Sequence, residues 1–418
     1  MELAPHRPTT KAIQKQRAME AIPEGWEATK LGNVADVVMG QSPVGTSYNR
    51  HEDGTPLING PTEFTDKYPI RIQWTTKPTM FSKVGDVLLC VRGSSTGRIN
   101  ISDDEYCIGR GIAAIRAQAH ADTTFVSYVV ARAVQRILVL TTGSTFPNVN
   151  GQSLRSIDFM CPPLREQRAI AEALTDADTL VASLDMLIAK KREMRTGIMQ
   201  QLLTGKRRLP GFSGKWEMKR LGEVGACLRG VSYRGEADLA PYDTGATKRL
   251  LRANNVQNAT IGTEDIQFVN AARVSSKQVM REGDVLVCMA SGSRDLAGKA
   301  AAFHLRDGYE YTFGAFMWCF RSNSRLVDVA FVSFLFQTGQ YRDYIANLLA
   351  GSSINNLRPS AIESLEFSLP AIEEQNAIAA VLASVDGELA ALEARRGKTH
   401  ALKQGMMQQL LTGKIRLI

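Results

Sequence analysis

The thirteen residues Gly197-Ile198-Met199-Gln200-Gln201-Leu202-Leu203-Thr204-Gly205-Lys206-Arg207-Arg208-Leu209 return at the end of the chain as Gly405 to Leu417, with 11 of 13 positions unchanged. The chain is therefore a tandem duplication and must build the same local structure twice. At a constant offset of 208 residues (405 − 197) the match runs back to Gly143-Ser144 and Gly351-Ser352. Pro162, Glu166, Gln167, Ala169, Ile170, Ala171, Leu174 and Asp178 meet Pro370, Glu374, Gln375, Ala377, Ile378, Ala379, Leu382 and Asp386. Further upstream the register drifts, but Trp26, Leu31, Gly32 and Val34 answer to Trp216, Leu221, Gly222 and Val224, and Gly85-Asp86-Val87-Leu88 answers to Gly283-Asp284-Val285-Leu286. A period near 200 residues is too long for a solenoid unit. Each repeat is a domain: a variable globular part followed by a nearly constant helix.

At 418 residues the chain can bury two to four cores without metals or cross-links. Its formal charge of +8 and pI near 9.2 favour a polyanionic partner. The six cysteines include no C-x-x-C pair and no Cys/His cluster. Cys90 and Cys288 hold equivalent places in apolar, strand-like runs, which suits the reduced, buried cysteines of a cytoplasmic protein. No run approaches the ~20 apolar residues of a membrane span, and the N-terminus lacks an apolar signal core.

Five segments follow. Residues 1–21 have no counterpart and form an N-terminal extension; 22–163 are a first globular part, 164–208 a helical spacer, 209–371 a second globular part and 372–418 a second spacer. In the first globular part, β-branched residues and turn chemistry predict strands at 31–38, 56–59, 70–74, 86–91 and 108–116, a helix over 124–140, and a polar stretch over 141–156. The second predicts strands near Val224, Leu250, Ile266, 284–289 and 313–321, with a helix over 327–349. Irregular strands with late helices make each part an α+β domain.

The spacers are helical. Ile170, Leu174, Ala177, Val181, Leu184 and Ile188 alternate gaps of four and three, and Ile378, Leu382, Val385, Leu389 and Leu392 repeat the pattern, which is a coiled-coil seam. In both copies the seam turns polar, at Lys191 and Arg195 and at Arg396, Thr399 and Lys403, before Ile198 and Leu202, or Met406 and Leu410, resume it. Gly205 and Gly413 stand where left-handed caps would end each helix. Because the first helix leads into the second domain and the second helix must return to pair with it, the expected pairing is an antiparallel coiled coil with a pseudo-twofold repeat and one domain at each end. About 40 residues at 1.5 Å each span roughly 60 Å, beside ~34–36 Å for a DNA turn.

Catalytic motifs are missing. There is no Asn/Asp-Pro-Pro-aromatic tetrapeptide of a nucleic-acid methyltransferase, Gly109-Arg110-Gly111 lacks the third glycine of G-x-G-x-x-G, and Gly298-Lys299 has no P-loop spacing behind it. Gly93-Ser94-Ser95-Thr96-Gly97 fits the G-x-S-x-G nucleophile elbow, but an elbow must open a helix and Arg98-Ile99-Asn100-Ile101 reads as extended. A polar binding loop explains Ser95 better.

Such loops carry the side chains expected at a DNA surface: Arg and Lys for phosphate and guanine, Asn and Gln for adenine, Ser and Thr for either. The candidates in the first copy are Gln41, Ser42, Arg50, Arg92, Ser94, Ser95, Thr96, Arg98, Asn148 and Asn150. In the second they are Arg229, Tyr233, Arg234, Arg252, Asn254, Asn255, Ser291, Ser293, Arg294, Asn355, Asn356 and Arg358.

The arrangement as a whole resembles the specificity subunit of type I restriction-modification enzymes. The residues that carry the likeness are Pro23-Glu24-Gly25-Trp26 with Leu31-Gly32-Asn33-Val34, Gly85-Asp86-Val87-Leu88, Pro162-Pro163-Leu164 with Glu166-Gln167, and both Gln-Gln-Leu-Leu-Thr-Gly-Lys ends. The second copy departs from the pattern in Phe212-Ser213-Gly214-Lys215-Trp216 and in Ala371. The resemblance implies two target-recognition domains that each read half of a gapped site in double-stranded DNA, and helices that act as a ruler and dock two methyltransferase subunits. It also implies restriction-translocase subunits in the full complex, with S-adenosylmethionine and ATP with Mg²⁺ bound by partners, and no catalysis, cofactor or metal in this chain. Unlike globular parts predict unlike half-sites, hence a non-palindromic target. The rival from another class is a helical assembly scaffold with protein-binding ends.

Overall fold

The computed structural model describes residues 22–140, 149–289, 296–350 and 356–418. The extension read over 1–21 and the Gly-Ser pairs at 143–144 and 351–352 lie outside the described residues. The chain divides into two compact units, one of residues up to Asp185 together with Ala394–Ile418, the other of Met186–Glu393.

In the first unit, β1 (Glu27–Lys30) runs through a one-turn helix, Leu31–Val34, into β2 (Ala35–Met39). Then come β3 (Tyr48–Asn49), β4 (Thr55–Ile58), β5 (Trp74–Thr75), β6 (Val87–Cys90), β7 (Ile99–Ile101), β8 (Cys107–Ile108) and β9 (Ile112–Ala117). Helices Thr123–Leu140 and Gly151–Arg155 precede β10 (Asp158–Cys161). One sheet has the order β2-β9-β6-β7, a second the order β3-β5-β4-β8, and β1 pairs with β10. All pairs are antiparallel except β4 with β8. The fully apolar β6 and the inner half of β9 are buried between the sheets and the helix Thr123–Leu140, which explains their continuous hydrophobic runs.

The second unit repeats this strand for strand. Its elements are β11 (Glu217–Arg220), β12 (Gly225–Arg229), β13 (Leu239–Ala240), β14 (Thr247–Leu251), β15 (Val256–Gln257), β16 (Thr260–Ile261), β17 (Gln267–Asn270), β18 (Val285–Cys288), β19 (Ala300–Ala302), β20 (Tyr311–Phe313), β21 (Met317–Ser322) and β22 (Glu366–Leu369). The sheets run β12-β21-β18-β19 and β13-β17-β14-β20, again with one parallel pair, β14 with β20; the hairpin β15-β16 is an addition.

Six readings change. Residues 108–116 and 313–321 each hold parts of two strands of different sheets, β8 with β9 and β20 with β21, joined by the turns at Gly109 and Gly314. Residues 31–38 are a helical turn plus a strand. Of residues 70–74 only Trp74 pairs in a strand; Ile70 donates its amide to the Glu63 carbonyl instead, at 2.7 Å. The polar stretch 141–156 contains the helix Gly151–Arg155, whose start is capped by the Asn150 side chain on Ser153 N at 2.8 Å. The predicted helix over 327–349 is two helices, Val329–Leu335 and Gly339–Ala350, because the Thr338 hydroxyl accepts from Tyr341 N and starts a new one.

The near-constant residues of the repeat form a clamp, built once in each unit. In the first, the buried Glu166 carboxylate accepts from Trp26 Nε1 at 2.9 Å and from Arg416 Nε and Nη2 at 2.6 and 2.8 Å. In the second, Glu374 accepts from Trp216 Nε1 at 3.1 Å and from Arg208 Nε and Nη2, both at 2.5 Å. The neighbouring glutamines also match: Gln167 Oε1 accepts from Asp122 N and its Nε2 donates to Pro162 O, while Gln375 does the same with Asp328 and Pro370. Gly205 and Gly413 end their helices at φ of 68° and 69°. A Cβ on Gly413 would stand 2.5 Å from Pro23 and one on Gly205 3.3 Å from the Trp216 ring, so the glycines also let the helix tails lie against the tryptophans.

The two 39-residue helices, Leu164–Leu202 and Ile372–Leu410, are antiparallel where they pack within each unit. Ile170 and Leu174 meet Met407 and Leu410 in the first unit, while Met199 and Leu202 meet Ile378 and Leu382 in the second. The polar seam residues answer to acids on the facing helix: Lys403 to Asp178 and Arg396 to Asp185 in the first unit, Arg195 to Asp386 and Lys191 to Glu388 in the second. These four cations are engaged in the helix pair itself. The charge pattern fixes antiparallel register.

Burial opposes ionisation of Glu166, but its bonds to Arg416 and Trp26 outweigh that and hold its carboxyl below the ordinary value. A depressed folded pKa means stability that is present above the unfolded value, ~4.3, and lost as pH falls through the folded one. Glu166→Gln is expected to erase this part of the acid-side slope in denaturation midpoints compared with the wild type. Arg416→Ala and Arg208→Ala are each expected to lower the midpoint of equilibrium unfolding at neutral pH, because each leaves a buried carboxylate without its cation; an unchanged midpoint would remove the clamp's role in stability.

Candidate nucleic-acid interface

Backbone hydrogen bonds collect five turns at one end of the sheets in each unit. In the first, Gln41 N bonds Ile108 O, Gly109 N bonds Ile58 O, Val91 N bonds Gly111 O and Val149 N bonds Val91 O, at 2.8–3.0 Å. Val231 N to Phe313 O, Gly314 N to Leu251 O, Met289 N to Phe316 O and Leu357 N to Met289 O are the second-unit counterparts, at 2.8–3.0 Å. The close approach depends on Gly40 and Gly230. A Cβ there would lie 2.2 Å from the Gly109 carbonyl oxygen and 1.9 Å from that of Gly314.

At the opposite end of the same strands each unit carries a buried carboxylate fork. Asp86, of the Gly-Asp-Val-Leu repeat, is buried, caps Lys83 N and takes both Nε and Nη2 of Arg116 from β9, at 2.9 and 2.7 Å. Asp284 does the same with Arg281 N and Arg321, at 2.8 and 2.5 Å. The hydrogen bonds to these aspartates raise the pKa of Arg116 and Arg321, keeping both forks charged.

The predicted loop residues divide by what their polar groups already do. Arg50, Arg92, Arg229, Arg234 and Arg358 are exposed, and their guanidinium groups make no ion pair or hydrogen bond with described residues. Gln41, Ser94, Asn150, Asn254 and Asn356 are exposed too, although Asn150 is the helix cap described above and Asn254 Nδ2 donates to Asp265 at 3.0 Å. Ser42 and Tyr233 are half-buried. Ser95 is half-buried in the 93–97 turn, which leads into β7 rather than a helix, so an elbow nucleophile has no place there. Arg98 donates to the carbonyls of Pro61 and Phe64, both at 3.2 Å, and so braces a turn.

Two candidates lie below the surface. Thr96 is buried, its hydroxyl on Gly93 O at 2.7 Å. Asn255 is buried, accepting from Arg252 N and donating to the carbonyls of Gly262 and Glu264. Their polar groups are satisfied inside the loops they hold. Asn148, Ser291, Ser293, Arg294 and Asn355 lie outside the described residues.

Arg252 occupies a central position. Its Nη2 donates to the Asp265 carboxylate at 3.0 Å and to the Asp265 carbonyl at 2.9 Å, while its Nε is buried without a partner. Asn59 is its equivalent in the first unit, beside Ser42 at 3.3 Å, and Ser42 in turn accepts from Arg110 N and Nε. Asn59 and Arg110 were not among the predicted candidates. The available signal was Gly109-Arg110-Gly111, which makes a poor cofactor loop but a tight turn that presents a cation.

A family model described as Type I restriction modification DNA specificity domain matches residues 23–189 and again 213–401. The chain belongs to that family. Within it, the chain is 36% identical over 198 residues to a putative type I restriction enzyme MjaX specificity subunit of Methanocaldococcus jannaschii, covering 47% of this chain and 46% of that one. To the EcoKI specificity subunit of Escherichia coli it is 31% identical over 204 residues, 48% of this chain and 43% of the relative. These two matches span less than half of each relative's length. The MjaVIII specificity subunit of M. jannaschii is matched over 95% of this chain and 94% of its own, at 23% identity. The fold is shared with the crystal structure of a type I restriction-modification system S subunit from M. genitalium, with a TM-score of 0.57 and 15% identity over 92% of this chain and 96% of that one. A chain from a structure described as the basis of complex assembly and conformational transition of the type I R-M system gives 0.60 and 17%, over 94% and 100%. Each stretch matched by the specificity-domain model holds one clamp carboxylate and one buried Asp–Arg fork.

Among the described residues no helix is long and apolar enough to cross a membrane. Gly40→Ala and Gly230→Ala are expected to cost about 1–3 kcal/mol each in chemical denaturation, since the added methyl meets a carbonyl of the facing turn. An unchanged midpoint would mean that these turns are not held together as described.

Proposed function

We propose that this chain is the non-catalytic DNA-reading subunit of a cytoplasmic type I restriction-modification complex. It binds double-stranded DNA at a bipartite, gapped, non-palindromic site, one half per globular part. Two methyltransferase subunits dock on the long helices, and restriction-translocase subunits join the full complex. S-adenosylmethionine, and ATP with Mg²⁺, belong to those partners.

One observation carries the reading: equivalent turns close equivalent sheets but present unlike side chains. Asn59 is matched by Arg252, and Arg110 with Gly111 by Ala315 with Phe316. Unengaged, exposed arginines in both units suit phosphates, and amides and guanidinium groups beside them suit base edges. For docking, the long helix leaves Met186, Leu187 and Met194 exposed by 69%, 47% and 49%, apolar surface that a partner helix would cover.

The full chain, co-expressed with its methyltransferase partner, is used to select duplexes from a random library at two salt concentrations. The expected product is a gapped motif with two unlike halves. Binding without a motif, fading uniformly as salt rises, would favour the scaffold instead. Equal heptads inserted into both long helices are expected to widen the gap and leave both halves unchanged; an unchanged gap would exclude the helices as the spacer.

A further inference from the structure

Phe316 is 70% exposed in a tightly held turn. The turn joins β20 to β21 and is closed by Met317 N on Gly314 O at 2.9 Å; its Phe316 carbonyl accepts from Met289 N at 3.0 Å. The backbone beneath the ring is therefore fixed at both ends. A Cβ on Gly314 would stand 3.8 Å from Tyr233 Cε1 and 4.0 Å from Arg252 Cγ, so an aromatic ring and an arginine stem border the same turn. In the first unit the equivalent residue is Gly111, where a Cβ would meet the Asn59 carbonyl oxygen at 2.9 Å.

A lone exposed apolar residue is ordinary on a protein surface. This one differs in its place, within a group of turns that also carries the exposed, unengaged Arg229 and Arg358. A rigid aromatic among cations is the combination that grips nucleic-acid bases: the cations hold the backbone while the ring packs on a base face or enters a base step. The ring carries no charge and can do nothing for a phosphate.

We propose that Phe316 is a base-contacting residue of the second domain, pressing its ring on the base stack of one half-site, where the equivalent position of the first domain is Gly111. The inference rests on the DNA-reading function proposed above. The test compares the full chain with its F316A and F316L variants, each with the methyltransferase partner, in motif selection and in titrations over a salt series. F316A is expected to relax one or two adjacent positions in the half read by the second domain. It should weaken binding to the original duplex about 5- to 150-fold, the span of alanine substitutions at base-stacking aromatics, with the first half and the salt slope unchanged. F316L should keep part of the affinity. A 2-aminopurine at the relaxed position should change its fluorescence on binding wild type and not F316A. Melting temperatures equal to wild type confirm that the variants fold. A wild-type motif retained by F316A with affinity within about twofold, or a reduced salt slope, overturns the role of Phe316 alone. A wild type that selects no motif overturns the underlying function as well.

Discussion

Each half of this protein hangs on one buried carboxylate. Removing Glu166 or Glu374 from water is costly, and each becomes tolerable only because an indole N–H and a two-pronged arginine meet it. The three partners come from three places in the sequence: the opening tryptophan of a domain, the base of the helix that follows it, and the tail of the other repeat's helix. Charge, domain and helix pair are thus joined at one point. The cation–π placement of Arg416 over Trp26 and of Arg208 over Trp216, at 5.5 and 5.4 Å, adds to the same junction.

That junction explains why the repeated motifs are the most legible part of the chain. Trp26, Glu166, Gln167 and the Thr-Gly-Lys tail look weak one by one, yet each is a fixed partner of another and all recur in order. Most of the seam was equally readable, since Ile170, Leu174, Leu184, Ile188, Ile378, Leu382 and Val385 are buried as helical spacing requires, while Ala177, Val181, Leu389 and Leu392 are half-buried. The pairing of Lys403 with Asp178 and of Arg195 with Asp386 was not, because a cation on a seam reads alike whether it faces a partner protein or an acid on the facing helix. Likewise Gly-Asp-Val-Leu was visible as a landmark, while its arginine partner lay some 30 residues downstream in an unrelated run, Arg116 at a separation of 30 and Arg321 at 37.

The loops were legible as a class and illegible as individuals. Arg50 and Arg98 are the same residue type in similar turns, but one bonds no group among the described residues and the other braces two carbonyls. Asn254 and Asn255 are adjacent, yet one is exposed and the other is locked beneath its loop. What separates them is whether their hydrogen-bonding capacity is already engaged, a property of the folded surroundings that no local pattern encodes. Small elements failed for a related reason: the two-residue strands β3, β5 and β8 exist only because distant partners are in place.

The discontinuity of the first unit also orders events in time. The second unit, Met186–Glu393, is one continuous stretch of chain, whereas the first is closed only by Ala394–Ile418. During synthesis from the N-terminus, Glu166 waits 250 residues for Arg416, and Met407 and Leu410 arrive last at the apolar side of Ile170 and Leu174. Long-range closure of this kind is slow and leaves apolar surface uncovered meanwhile. The domain made first is therefore completed last, and a ribosome that stops just after Glu393, midway through the final helix, leaves the second unit with all its parts and the first without its lock.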